Sequence, residues 1–193
     1  MASNLRFLLG LTCGAALALL PGAAAHLHAA ARALHGGEAA SGSARAHTEE
    51  KFSFTAHAPM DQVAPLFGAD NERAWAPHWD PQFVHPLPAA DREGMVFTVA
   101  HDHLRAAWVN TAFDLDYEHK TGRIQYVYVI PDLLVTVITL KVTPEASQTH
   151  VEVAYDRTAL SPEGDDHVRH MAKQDRQSGP EWEKQIDTYL GKR

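Results

Sequence analysis

The sequence predicts an α+β fold, an antiparallel sheet covered by helices, and three observations carry that expectation. Segments rich in Val, Ile, Thr, Tyr and Trp recur at residues 95–101, 107–115, 123–130, 133–142 and 149–158. The connections between them, at 102–105, 120–122, 131–132 and 144–148, are compact turn signals. They are too short for a helical crossover, so the strands pair antiparallel as a meander. After the last strand, Val168, Met171, Asp175, Gly179, Trp182, Ile186 and Tyr189 recur every three or four residues. That is one face of a long C-terminal helix turned toward the sheet, which Pro180 should kink near Gly179.

In chain order, Arg6 precedes an uncharged apolar run at 7–20, followed by Pro21-Gly22 and the small residues Ala23, Ala24 and Ala25. Residues 1–25 therefore read as a secretory signal peptide cleaved before His26, which places the mature protein in the periplasm or outside the cell. The run falls short of the roughly 20 residues that cross a bilayer, so no integral span is expected after cleavage. Cys13 is the one cysteine and lies inside this segment, leaving the mature chain without a thiol. Residues 26–50 are mostly Ala, Gly, Ser and His and bury too little to order themselves, so they read as a disordered linker. The domain is expected at 51–193.

The domain opens with Phe52 and Phe54 alternating with Ser53 and Thr55, the period of a half-buried strand. Met60, Val63, Leu66 and Phe67 follow at helical spacing, with Pro65 shortening that helix, and a second short helical piece spans 70–75. Residues 75–86 hold Trp75, His78, Trp79, Asp80 and Phe83 among prolines 77, 81 and 86. Such a segment is an ordered loop whose rings dock on the body of the domain, either as the wall of a cavity or as a plug closing the core. Composition suits one globular domain: 193 residues, 45% hydrophobic and 21% charged. Seventeen basic against 24 acidic side chains, with the basic ones scattered, exclude a nucleic-acid surface.

The residues 54–67, the loop 75–86, Val96-Phe97-Thr98, Trp108-Val109 and the stretch 155–164 (YDRTALSPEG) together resemble the START-like, or SRPBCC, superfamily, in its polyketide-cyclase-like bacterial branch. The resemblance covers essentially the whole mature domain. It implies a helix-grip fold: a curved antiparallel sheet of about seven strands, two short helices and a long C-terminal helix that together enclose an apolar cavity. It further implies a small hydrophobic molecule or lipid as partner. The iron-binding oxygenases of that superfamily are not matched, since their Cys-X-His and His-X4-His motifs are absent from this sequence.

For chemistry, the candidate ligand-binding residues are Trp75, His78, Trp79, Asp80, Phe83, His101, Trp108, Tyr126, Tyr155, Met171, Asp175 and Trp182, with Arg157 as a further polar group on a cavity-lining strand. Met171 and Trp182 equally suit plain helix-on-sheet packing, whereas Asp175 on the same stripe demands a partner. His101-Asp102-His103 offers a metal bite but reads as hairpin histidines facing solvent, so neither a metal nor another cofactor is expected. No phosphate loop, nucleophile elbow or thiol nucleophile is present. The leading expectation is an exported carrier of an apolar or aromatic molecule. A cyclase or dehydratase on the same scaffold and a periplasmic metal or haem handler are the alternatives.

Overall fold

The computed structural model describes residues 44–101 and 104–191. The signal segment and most of the linker expected from the sequence lie outside these residues. Seven strands form one antiparallel sheet: β1 (His47–Ala56), β2 (Gln82–His85), β3 (Val96–His101), β4 (Leu104–Asp116), β5 (Thr121–Ile130), β6 (Leu134–Glu145) and β7 (Gln148–Ala159). Their order is β1-β7-β6-β5-β4-β3-β2, so the meander β3 to β7 forms as expected and the first strand returns to pair with the last. Alternation along each strand turns residues such as Val153, Tyr155 and Arg157 of β7 onto one buried face. A register shift between Asn110 and Ala112 interrupts the pairing of β4 with β5.

Two features differ from the sequence expectation. β1 starts at His47, inside the segment read as linker. Here order comes from neighbours and not from apolar content: His47 pairs with Thr158, and the Ala46 N–H donates to Asp165 Oδ1 at 2.7 Å. The aromatic loop also contains a strand, because Pro81 and Pro86 flank β2 without interrupting it and β2 lies at the sheet edge, where proline is tolerated.

The expected first helix is a single turn, α1 (Met60–Val63), which passes into a 3-10 helix at Ala64–Phe67 carrying Pro65 in its first turn. A second 3-10 helix spans Asn71–Ala74. Between them Gly68 permits a close approach: a Cβ there would lie 2.1 Å from Asp91 Oδ2. Asp91 uses that room to accept from the Asp70 and Asn71 N–H groups at the start of the second 3-10 helix.

The long C-terminal helix is two helices, α2 (Pro162–Asp175) and α3 (Gly179–Leu190). The expected kink is a break: Gln177 and Ser178 donate to the carbonyls of Gln174 and Asp175 in tight turns, and Pro180, lacking an N–H, starts a new helix in its first turn. α2 is capped by Ser161, whose hydroxyl accepts from the Gly164 N–H at 3.1 Å. The apolar stripe holds through the break. Val168, Met171, Trp182 and Ile186 are buried, while Arg176 and Lys184 are exposed. No helix among the described residues is long and apolar enough to cross a membrane.

Candidate functional site

Between the buried face of the sheet and its cover lies a cavity of about 30 Å³ walled mainly by rings. The sheet supplies Phe97, Trp108, Tyr126 and Tyr155, with Ile138 and Leu140 from β6. The cover supplies Trp182 from α3, Phe67 and Glu72 from the two 3-10 helices, and Trp79 from the loop. Two aromatic clusters frame it. Trp182 meets Phe52 edge-on at 5.4 Å, Trp75 at 5.6 Å and Phe67 stacked at 6.3 Å. Across the cavity Trp108 stacks on Tyr128 at 4.3 Å and on Phe97 at 5.6 Å, with Trp79 edge-on at 5.4 Å.

The loop tryptophans are fixed by their polar ends. Trp75 Nε1–H donates to the Leu66 carbonyl at 2.7 Å, and Trp79 Nε1–H donates to that of Ala69 at 2.8 Å. The Tyr126 hydroxyl donates to the Phe67 carbonyl at 3.0 Å. The indole bonds hold the loop to the segment that carries the first 3-10 helix, and the Tyr126 bond, to a carbonyl that this short helix leaves open, ties it to the sheet. Wall and plug are therefore both present in one loop: Trp79 lines the cavity, whereas Trp75 seals the core behind Phe67 and Trp182.

Glu72 is the acid of the site. Its segment neighbours Asn71 and Arg73 face water, but Glu72 itself is only 8% exposed, and no cation pairs with it among the described residues. Burial, with the nearby Asp91 charge adding to it, pushes the Glu72 carboxyl up to about 8. It is a neutral carboxylic acid at pH 7. One other polar group in this corner lacks a partner, the buried Trp108 Nε1–H, while Asn110, two residues along the same face of β4, lies against the Tyr126 hydroxyl.

No family model and no curated protein matches the chain. Solved structures do. A hypothetical protein of Helicobacter pylori aligns at TM-score 0.58 and 9% identity, over 85% of this chain and 99% of its own. Ara h 8.0201 aligns at 0.54 and 16%, over 77% and 100%. A point mutant of Thalictrum flavum norcoclaurine synthase, in complex with a transition-state analogue, aligns at 0.52 and 11%, over 77% and 98%. At these identities the likeness is one of fold. The chain has the START-like helix-grip fold.

Within the helix-grip frame, five of the residues singled out from the sequence meet at the cavity: Trp79, Trp108, Tyr126, Tyr155 and Trp182. Others do not. His78 and Asp80 are exposed and do not line the cavity. His78 sits in a left-handed turn (φ 64°) beside the inward Trp79, and the Asp80 carboxylate accepts from Gln82 Nε2 at 3.1 Å. Phe83 lies outside the cavity, packed on Phe97 with the Arg73 guanidinium 5.1 Å from its ring. Met171 and Asp175 belong to the packing of α2. Asp175 has the partner its burial demands: Arg157 Nε and Nη2 each donate to its carboxylate at 2.9 Å, and Nη1 donates to Thr136 Oγ1 at 2.9 Å and to the Tyr128 hydroxyl. With all its nitrogens engaged, Arg157 offers the cavity no free charge. The side chain of His101, with Asp102 and His103, lies outside the described residues.

The metal alternative finds two groups of candidate ligands among the described residues, the exposed His47, Glu49 and Asp156, and His57 with Glu183 and Asp187. The second is already used as a strap. The His57 N–H donates to Asp187 Oδ1 at 2.9 Å and its ring Nδ1 lies 2.5 Å from Oδ2, which ties α3 to the end of β1 and raises the His57 pKa. Sequence reading missed Phe67, Phe97, Ile138, Leu140 and above all Glu72 as cavity residues. For Glu72 a signal existed: it falls three and four residues from Trp75, Ala76, Ala69 and Gly68, on the apolar side of its segment.

Proposed function

We propose that this helix-grip protein binds a small apolar or aromatic molecule in the ring-walled interior between the sheet and α3. The observation that carries the reading is the concentration of rings from every layer of the fold around one cavity that also contains a neutral acid. At about 30 Å³ the cavity has room for about one or two waters, so a guest enters by displacing part of the cover. α3 is suited to that movement, since it carries Trp182, is separated from α2 by a break, and is held at its far end by the exposed His57 strap. The buried Glu72 also favours a second reading, a cyclase- or dehydratase-like enzyme in which that acid donates a proton to the guest. Residues 1–25 carry the export signal in this proposal, which makes the site one for a periplasmic or secreted protein.

Native mass spectrometry of protein purified from the exporting host tests both parts. The expected species starts near His26 and carries a noncovalent organic mass that is lost on denaturation. A chain retaining residues 1–25, or one recovered empty that takes up no apolar aromatic compound, would contradict the corresponding part.

A further inference from the structure

The buried polar groups of the cavity make a demand that the apolar walls do not. Trp108 lines the cavity, and its Nε1–H, a donor with no acceptor capacity, has no partner. Glu72 lines the same small space and keeps its proton at neutral pH, so its hydroxyl is a second donor. The other donors nearby are already committed: the Tyr126 hydroxyl donates to the Phe67 carbonyl, and the two loop indoles donate to those of Leu66 and Ala69. No lysine, arginine or histidine lines the cavity among the described residues, so an anion would enter uncompensated. An ammonium could satisfy an ionised Glu72 but could not accept from the indole.

Resting on the binding reading above, we propose that the site selects neutral aromatic molecules bearing a carbonyl-type oxygen, which accepts from the Glu72 acid and from Trp108 Nε1–H. The cavity, at about 30 Å³, has room for such an oxygen, while the aromatic body of the guest takes the place of displaced cover. The groups that face Glu72 are Asp91 from the loop before β3, Tyr126 from β5 and Tyr155 from β7, with Asp70 and Arg73 beside it on its own segment. Burial pushes both tyrosines up from their ordinary range, so they stay neutral between pH 6 and 9. Asp91 is also raised by burial, and a Glu72→Gln variant separates its titration from that of Glu72.

The test is a fluorescence titration of the full domain with 2-acetylnaphthalene and with 2-isopropenylnaphthalene, which has the same shape with CH2 in place of oxygen. At pH 6 the ketone should bind about tenfold more tightly, the worth of one or two buried hydrogen bonds. That preference should shrink at least threefold by pH 9. Glu72→Gln, which still donates, should keep the preference and lose its pH dependence. Glu72→Leu and Trp108→Phe should each cut the ratio of ketone to alkene affinity at least threefold, whatever they do to the affinity for the alkene itself. Equal binding of both compounds by the wild type, or a pH dependence that survives in Glu72→Gln, overturns the inference and leaves the binding reading standing. Binding of neither compound overturns both.

Discussion

Replacing Glu72 by glutamine is expected to stabilise the protein, by about 3 kcal/mol at pH 7, and to make no difference near pH 4. The sign follows from where the proton resides. The unfolded chain releases the Glu72 proton near its ordinary value of 4.5, while the folded chain holds it to about 8. Between those values folding requires a proton that the unfolded chain has given up, so wild-type stability falls by about 1.4 kcal/mol per pH unit relative to a residue that cannot titrate. Denaturant unfolding of the two proteins from pH 4 to 8 gives the difference directly. A flat difference would mean that Glu72 is ionised and solvated in the folded state. A stabilising replacement at a buried position marks a residue that folding alone does not favour, as binding and catalytic groups commonly are.

Truncating Trp182 to alanine is expected to cost about 3–5 kcal/mol in the same assay. This side chain is buried and touches rings from β1, the first 3-10 helix and the loop, through Phe52, Phe54, Phe67 and Trp75. It is held there by Gly179, where an added Cβ would lie 3.1 Å from the Ser53 carbonyl and 3.3 Å from the Phe52 ring, so α3 packs directly on β1. A loss below about 1 kcal/mol would mean that α3 does not close the core.

The sheet was legible in the sequence because each strand from β3 to β7 is bounded by turn residues and faces a core on one side, conditions that impose a period of two. The stripe of the C-terminal helices was legible for the same reason at a period near 3.6. The break between α2 and α3 was visible as Pro180, but whether proline kinks a helix or starts a new one depends on the local turn bonds around Ser178, which the apolar period does not encode. His47 joins β1 through its pairing with Thr158, a contact 111 residues distant. The site was legible by ring content alone. Trp79, Trp108 and Trp182 have few ways of being exposed, so they were found, whereas His78 and Asp80 were chosen for chemistry that their position in a surface turn denies them. Glu72 escaped because an acid beside Asn71 and Arg73 looks solvated until the packing of the cover turns it inward.

Three of the chain's four tryptophans line the proposed site and the fourth, Trp75, lies behind its wall, and each carries an indole N–H that gives its own signal in a ¹H–¹⁵N correlation spectrum. Titration of the labelled protein with 2-acetylnaphthalene, the signals assigned by single Trp→Phe variants, tests most directly whether the interior takes a guest. The Trp79, Trp108 and Trp182 signals should move together to saturation, with Trp108 moving furthest as its unpartnered N–H gains an acceptor. Trp75, bonded to Leu66 behind the wall, should move least. Four indole signals unmoved at saturating ligand, with shifts confined to surface amides, would contradict an interior binding site.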